Sequence, residues 1–309
     1  SLSAICPAGA QSHSVSAEYF TTPLFKGALN NPVIRLRISV KNGLPAVFTK
    51  LDLRLDEQAV DVIEKVEVYK SRKYEHAFEG STLLGAAEAM RELSIPIELK
   101  AEPGLTWLWL NVSLKQTADI TRRVGIVVKG LTTAKGSVVP VEQDSNVRPF
   151  RVGVALRKAG DDNVHTYRIP GLATTDKGTL IAVYDIRHTT SRDLPGNVDV
   201  GMSRSTDGGR TWEPMKTIMD MGPPHDNNGI GDPSILFDPV TRTIWVAALW
   251  SKGDRSIAGS EPGLSPDETG QFVLVSSQDD GVTWSEPYNI TSQVKDPKWH
   301  IYFQGPGAG

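Results

Sequence analysis

The sequence has a single cysteine, Cys6, and after residue 20 it has no apolar run that approaches the roughly 18 residues of a membrane-spanning helix. One cysteine cannot build a disulfide framework within these 309 residues. The lack of such a framework is still compatible with export. The sequence also lacks a long basic run and its net charge is −3, which argues against nucleic acid or an anionic membrane as the main partner. The remaining composition, 39% hydrophobic and 22% charged, is ordinary for a soluble protein, and the length predicts about two domains.

The first residues have the pattern of the end of an export signal. A short apolar stretch is followed by the small-x-small sequence Ala8-Gly9-Ala10, a typical cleavage site. Cleavage there would also remove the one cysteine. We therefore predict that residues 1–16 are a leader remnant or disordered, and that the protein is secreted or periplasmic. A disordered chain end without any leader is the alternative.

Residues 17–145 predict a β-sandwich. Short segments of alternating apolar and polar residues are separated by turns that contain glycine or proline. Residues 84–93 form the one stretch with helical composition, and the polar residues 141–149 are interpreted as a linker. The predicted strands are residues 33–40, 48–55, 62–69, 105–114 and 123–129.

An eight-residue pattern, S-x-D-x-G-x-T-W, occurs at residues 205–212 and again at residues 277–284. Its chemistry suits a hairpin turn. Asp207 and Asp279 can accept hydrogen bonds from turn amides, the glycine can take a positive φ, and the tryptophan can fold back over the turn. The recurrence indicates a structural repeat, so we interpret both aspartates as structural and not as catalytic.

Residues 146–309 predict the first part of a β-propeller. A propeller blade takes about 40–50 residues, so this region would supply about three blades. Three blades would leave an open strand edge and an apolar face, and we therefore expect the sequence to stop within the propeller. A small sheet that is not a propeller is the alternative. The strand candidates are residues 152–156, 179–186, 198–204, 234–237, 243–249 and 272–277.

Three segments of this second region carry candidate site residues. Arg168 lies between a tyrosine and Ile-Pro, where proline stiffens the backbone, and a rigid guanidinium suits two parallel hydrogen bonds to a carboxylate. Taken alone, this motif is equally compatible with an ordinary surface arginine. Arg187 and Asp193 follow the end of an apolar strand, where loops commonly present functional side chains. Asp232 belongs to a second polar loop, residues 226–233.

Together, Arg168 with its Ile-Pro, Arg187 with Asp193 and the two aspartate-box repeats resemble the bacterial sialidase (neuraminidase) family over about residues 150–309. The region before them resembles, more weakly, the sandwich domain that precedes the catalytic domain of some of these enzymes. The resemblance implies an all-β chain, with a sandwich followed by the first blades of an incomplete six-bladed propeller. It also implies an exo-α-sialidase, a glycoside hydrolase that removes terminal sialic acids from glycans, glycoproteins and glycolipids with retention of configuration.

The resemblance further implies a role for each candidate residue. Arg168 matches the first of three arginines that clamp the sialic acid carboxylate, and Arg187 matches an arginine near the sugar 4-hydroxyl. Asp193 matches the aspartate that acts as general acid and then as general base. Asp232 resembles an aspartate on the pocket floor that contacts the sugar substituents. Neither a cofactor nor a metal is expected.

The family also uses a tyrosine nucleophile, its glutamate partner and two more arginines, for which this sequence offers no matching context. A neutral tyrosine avoids the repulsion that the substrate carboxylate would exert on an anionic nucleophile. Because these groups have no match in the sequence, we expect the 309 residues alone to be inactive. The alternative function is a non-catalytic aspartate-box propeller that binds glycans or proteins. Trp250 could line the N-acetyl pocket or belong to the core, and Asp185 is interpreted as a structural partner of Arg187.

Overall fold

The computed structural model of the protein describes residues 13–41, 43–71 and 80–309. The chain forms two compact units that divide between Ala155 and Leu156. Of the predicted leader, residues 1–12 lie outside the described residues and residues 13–16 lie in the first strand. No helix in the described part of the chain is both long enough and apolar enough to cross a membrane.

The first unit is built from strands and one short helix, α1 (Glu57–Val62). Its strands are β1 (His13–Tyr19), β2 (Leu24–Lys26), β3 (Pro32–Val40), β4 (Ala46–Leu55), β5 (Ile63–Ser71), β6 (Thr82–Glu88), β7 (Glu92–Ala101), β8 (Gly104–Leu114), β9 (Arg123–Val124), β10 (Ile126–Thr133), β11 (Val138–Val139), β12 (Val141–Glu142) and β13 (Phe150–Val154).

Two sheets of the first unit enclose one hydrophobic core, as the predicted β-sandwich requires. One sheet has the strand order β12-β1-β3-β8-β5-β6, and the other has the order β11-β10-β4-β7. Both contribute to the same buried cluster, for example through Leu36 of β3 and Leu51 of β4, which are fully buried. Strand β7 shows strict alternation of exposed and buried residues, which is the pattern of a strand with one face on the core. The all-β prediction is confirmed for this unit.

The helical composition of residues 84–93 was misleading, because these residues form β6, a turn and the start of β7. Strand β6 pairs with β5 in an antiparallel ladder. A Cβ atom at Gly85 would lie 2.2 Å from the carbonyl oxygen of Pro96 in β7, so the two segments are packed closely. Strand pairing therefore overrides the helix propensity of the local sequence.

Two predicted element bounds also differ from the structure. Val62 ends α1, which begins after Asp56, whose side chain accepts a hydrogen bond from the Ala59 amide at 2.7 Å. Residues 123–129 divide between β9, which pairs with β13, and β10, which pairs with β4 and β11. Strand β13 also pairs with β2 in parallel. The residues from 146 to the end of β13, which the sequence places in the propeller region, therefore belong to the first unit.

The second unit consists of two antiparallel meanders and short connecting segments. Its strands are β14 (Thr166–Thr174), β15 (Leu180–Arg187), β16 (Val198–Ser205), β17 (Lys216–Met219), β18 (Asn228–Asp238), β19 (Thr243–Lys252), β20 (Gln271–Ser277), β21 (Tyr288–Asn289) and β22 (Gly307–Ala308), with a short 3-10 helix (Asp161–Asn163) and a one-turn helix α2 (Thr291–Val294).

Each meander has the form of a propeller blade. The first has the strand order β14-β15-β16-β17, and the second has the order β21-β20-β19-β18 with β22 added beside β18. Apolar residues of both meanders form one core. The expectation of about three blades is wrong for the described residues, which form two. The estimate failed because long loops, such as residues 253–270, take up chain length outside the strands.

The two aspartate boxes are turns of identical construction, each between the third and fourth strand of its meander. In the first, Asp207 accepts hydrogen bonds from the Ser205 hydroxyl at 2.9 Å and from the Thr211 amide and hydroxyl at 2.9 and 2.6 Å. The Trp212 indole donates to the Gly209 carbonyl at 3.1 Å. The same contacts recur in residues 277–284 at 2.5–3.2 Å. The aspartates are thus committed to the turn, as the sequence predicts.

Candidate active site

Two matched β-bulges lie in the first strands of the two meanders. In β14 the ladder with β15 shifts immediately after Arg168, at Ile169 and Pro170. In β18 the ladder with β19 shifts at Asp232 and Pro233. Proline has no N–H to offer to a ladder, so it is tolerated at such interruptions, and a bulge redirects the neighbouring side chains. The bulges therefore place Ile169 and Asp232 at corresponding points of the two blades, with Arg168 directly before the first bulge.

Both bulges hold a residue with left-handed backbone. Ile169 has a φ of 55° and Asp232 a φ of 53°. Such a conformation costs a non-glycine residue about 1–3 kcal/mol and is most unusual for a β-branched side chain. The surrounding ladders must hold it in place. The sequence contains both X-Pro pairs, but local patterns do not reveal that they occupy equivalent positions.

A buried ion pair at the end of β15 forms the base of the site. Arg187 is 1% exposed and Asp185 is 0% exposed. Arg187 donates from Nε and Nη2 to Asp185 Oδ2 at 3.2 and 3.0 Å, and from Nη1 to the Ser191 carbonyl at 2.9 Å. The other oxygen, Asp185 Oδ1, accepts the backbone N–H of Asp232 at 2.8 Å. Asp185 therefore joins β15 to the bulge in β18.

Glycine at position 231 is a requirement of this connection. A Cβ atom there would lie 2.8 Å from Asp185 Oδ1, which would push the carboxylate away from the Asp232 amide. The buried position of Gly231 in β18 thus leaves just enough room for the carboxylate.

Asp193 lies on the loop after β15, with its side chain 62% exposed. Its Oδ1 lies 3.0 Å from Nη2 of Arg187 and accepts the Leu194 amide at 2.8 Å. Its carbonyl accepts the Gly196 amide at 2.9 Å. An exposed carboxylate on a short, internally bonded loop is placed where a bound molecule can reach it.

The base of this loop is fixed by His188. Its Nε2 lies 2.7 Å from Oδ2 of the buried Asp199, and its amide donates to the Asn197 carbonyl at 3.2 Å. The hydrogen bond to Asp199 raises the pKa of His188 above its usual value. These contacts hold the ends of the loop that carries Asp193.

Three carboxylates meet at this point: Asp185, Asp193 and Asp232 each have an oxygen within 4.8 Å of the other two. Burial raises the pKa of Asp185 to about 7, although the Asp232 amide and Arg187 oppose the increase. Burial also raises the pKa of Asp232, and the negative charge of Asp193 adds to this effect. The cluster therefore contains carboxyl groups that bind protons more readily than ordinary aspartates. Such oxygens could also serve a hard cation, but the guanidinium of Arg187 already supplies a positive charge at hydrogen-bonding distance.

Arg168 is exposed and, among the described residues, its guanidinium makes no hydrogen bond or ion pair. It lies opposite Asp185 in the β14–β15 ladder. Burial raises the pKa of Asp232, and the positive charge of Arg168 opposes this increase, so Arg168 acts on the carboxylate cluster. A guanidinium that is free of partners beside this cluster is available to an external anion.

The structure thus brings Arg187, Asp193 and Asp232 together, with Arg168 beside them. Trp250 is not in contact with this cluster through any hydrogen bond; its indole N–H donates to Asn228 Oδ1 at 2.7 Å, and its ring packs against the core of the meanders. Trp250 and Asn228 both line an open pocket of about 620 Å³, together with Met221 and Lys252. Trp250 thus packs against the core and also lines a pocket, and its place in an N-acetyl pocket stays a prediction.

Gln304 is a residue at the site that the sequence did not indicate. Its Nε2 donates to the Asp232 carbonyl at 2.6 Å, so it helps to hold the left-handed residue of the second bulge. An isolated glutamine in a loop carries no sequence signal for such a contact. The contact depends on the pairing of β22 with β18, which brings the chain around Gln304 close to Asp232.

Comparison with known proteins agrees with this architecture. Residues 12–137 match a family model described as the N-terminal domain of BNR-repeat neuraminidase. The sialidase of Bacteroides fragilis (strain YCH46) is 45% identical over 218 residues, which are 68% of this chain and 40% of that protein. The sialidase of Micromonospora viridifaciens is 36% identical over 152 residues, 48% of this chain and 23% of that protein. The solved structure of the Hadza microbial sialidase Hz136 superposes with a TM-score of 0.80 at 33% identity, over 95% of this chain and 63% of that chain.

The fold and the site define an all-β protein in which a sandwich precedes aspartate-box meanders that carry a carboxylate and arginine cluster. The chain is related to the bacterial sialidases, as the motifs around Arg168, Arg187 and Asp193 predict. It spans about 40% of the length of the Bacteroides relative and 23% of that of the Micromonospora relative.

Proposed function

We propose that this chain belongs to an exo-α-sialidase that removes terminal sialic acids from glycans, glycoproteins and glycolipids. The observation that carries the proposal is the guanidinium of Arg168, which has no partner among the described residues and acts on the carboxyl cluster that contains the exposed Asp193. A sialic acid carries a carboxylate on its reacting carbon, so a guanidinium and an acid at neighbouring positions match its two reactive features. The names of the relatives support the same substrate class.

In the proposed reaction Arg168 binds the substrate carboxylate and Asp193 protonates the departing glycosidic oxygen. Asp193 then removes a proton from the water that releases the sugar, and the configuration is retained. Arg187 and Asp232 line the pocket and contact the sugar. Arg187 lies at hydrogen-bonding distance from Asp193, and the carboxyls of Asp185 and Asp232 lie within 4.8 Å of it.

We further propose that the tyrosine nucleophile and its glutamate do not come from these 309 residues. The hydroxyls of Tyr167 and Tyr184 are engaged elsewhere, with the Asp161 carbonyl and the Ser203 hydroxyl. The proposal includes export by the N-terminal signal and a role in carbohydrate metabolism outside the cytoplasm. A non-catalytic aspartate-box protein that binds glycans remains the second candidate, which the open pocket at Trp250 would suit.

The proposal can be tested in a hybrid in which this chain replaces the matching part of the Bacteroides fragilis sialidase. The folded hybrid should release the fluorophore from a 4-methylumbelliferyl sialoside. Arg168→Ala should lower its kcat/KM about 10²–10³-fold, because the clamp on the substrate charge is weakened. The matched control is Arg37→Ala, which removes an exposed arginine of the first unit that has no partner among the described residues. A folded hybrid without activity, or an Arg168→Ala variant with unchanged kcat/KM, would contradict the proposal.

A further inference from the structure

Arg187 lies between two carboxyl groups with very different surroundings. Its Nη2 is 3.0 Å from Asp185 Oδ2 on one side and 3.0 Å from Asp193 Oδ1 on the other. Asp185 is fully buried, whereas the side chain of Asp193 is 62% exposed. Arg187 itself is 1% exposed, so it cannot turn to solvent and carries one positive charge at any accessible pH.

The charged groups in and around the carboxyl cluster come from four segments. Asp185 belongs to β15 with Arg187 itself, Asp193 to the following loop, Asp232 to β18 and Arg168 to β14. Three carboxyls therefore face one buried guanidinium and one exposed guanidinium. The oxygens of the three carboxyls lie within 4.8 Å of one another, so each charge acts on its neighbours.

We propose that Asp185 and Asp193 share the single positive charge of Arg187, and that Asp185 is a positioning residue whose charge sets how firmly Arg187 holds the Asp193 carboxylate. When Asp185 takes a proton from solvent, Arg187 is left to Asp193 and holds its carboxylate more firmly. When Asp185 loses that proton, the guanidinium is divided between two carboxylates and holds Asp193 less firmly.

This role rests on the proposed function for its catalytic meaning, but the charge sharing itself does not depend on turnover. A purely structural partner would hold Arg187 in place whatever the charge of Asp193. If Asp185 shares the guanidinium with Asp193, its own titration midpoint must instead change when the charge of Asp193 is removed.

The test is a carbon-13 NMR titration of the Asp185 side-chain carboxyl in the 309-residue chain, in the wild type and in Asp193→Asn. Because Asp193 is exposed on a loop, this variant should keep the fold, which an amide correlation spectrum verifies. We expect the midpoint of Asp185 to fall by about one pH unit in the variant, since Arg187 then belongs to Asp185 alone. The control is Glu286→Gln, which removes an exposed carboxylate with no partner among the described residues.

If the titration midpoint of the Asp185 carboxyl in Asp193→Asn lies within about 0.2 pH units of the wild-type midpoint, the inference is overturned. An equal shift in Glu286→Gln would also overturn it, because the effect would then reflect net charge and not the shared guanidinium. The titration gives its answer whether or not the protein cleaves sialosides. Failure of the inference and failure of the proposed function are therefore separate results.

Discussion

Asp185 and Arg187 are the most deeply buried charged side chains of the described second unit, at 0% and 1% exposure. Burying a charge is costly unless it is paired and hydrogen-bonded. Each oxygen of Asp185 accepts at least one N–H, and all three nitrogens of Arg187 have an acceptor. Every nitrogen of Arg187 and every oxygen of Asp185 therefore has a hydrogen-bond partner. Loss of either residue leaves the other as a buried charge without its counter-charge.

Replacing Arg187 tests this at the residue scale. Arg187→Met should lower the free energy of unfolding by about 3–5 kcal/mol at pH 8, because it leaves a buried carboxylate without a cation. The loss should be smaller at pH 5. Burial already raises the pKa of Asp185 to about 7, so at pH 5 the group takes a proton and is neutral. Denaturant unfolding at the two pH values measures the difference, with Arg37→Met as the exposed control. Equal losses at both pH values would contradict the charge argument.

The sequence indicated the individual site residues but not their contacts. Arg187 and Asp185 are two positions apart on a strand, and residues at this spacing share a face, so their pairing was accessible to pattern reasoning. The contact between Asp185 and the Asp232 amide was not, since it joins strands that are far apart in sequence. The support from Gln304 was equally hidden.

At the scale of elements, the aspartate box is the best example of a local sequence that determines its own structure. The hydrogen bonds of the aspartate and the tryptophan join residues within the eight-residue pattern, so the pattern alone is sufficient to predict the turn. These bonds lower the pKa of Asp207 and of Asp279 to about 2, chiefly through the threonine hydroxyl. The ionised form of each aspartate is therefore the one that the turn binds.

A pH-dependent contribution to stability follows from these turns. Because the folded pKa lies below the value of about 3.8 for a free aspartate, the stabilisation is complete above pH 4 and is lost as the pH falls towards 2. The double variant Asp207→Asn/Asp279→Asn should melt at a lower temperature than the wild type at pH 5, and the two should converge near pH 2. Thermal unfolding monitored by circular dichroism provides the comparison.

The matched control for this experiment is Asp226→Asn, which removes an exposed carboxylate that has no partner among the described residues. Its melting temperature should follow that of the wild type across the range. A constant difference between wild type and double variant from pH 5 to pH 2 would mean that the aspartates act through shape and not through charge.

Elements whose form depends on distant partners were predicted less well. Residues 84–93 have helical composition but pair as strands with β5 and β4. The bulges in β14 and β18 require left-handed backbone at Ile169 and Asp232, and a β-branched residue such as Ile169 disfavours that conformation. In both cases tertiary contacts determine the backbone conformation, and the local sequence favours a different one.

At the scale of the whole molecule, strand periodicity and the repeat predicted an all-β chain with a sandwich before blade-like sheets, and the structure confirms this. The number of blades was overestimated, because chain length does not distinguish strands from long loops. The boundary between the units could not be read locally either. Strand β13 looks like part of the second region but pairs with β2 and β9.

The activity of the 309 residues by themselves is a prediction at this scale. Under the proposed mechanism, Asp193 and Arg168 supply an acid and part of a carboxylate clamp, without the nucleophile. We expect the purified chain to release little or no fluorophore from a 4-methylumbelliferyl sialoside, under conditions in which the hybrid with the Bacteroides sialidase is active. Rapid release by the chain alone would show that the nucleophile lies among these residues.

The central claim is that Asp193 is the acid that protonates the departing group, and its most direct test compares two leaving groups in the hybrid. A sialyllactose needs protonation of a poor leaving group, whereas an aryl sialoside departs with little help. Asp193→Asn should therefore lower kcat/KM for sialyllactose by about 10²–10⁴-fold and for the aryl sialoside by much less. Equal losses for both substrates, or unchanged hydrolysis of sialyllactose, would contradict the assignment of Asp193 as the acid.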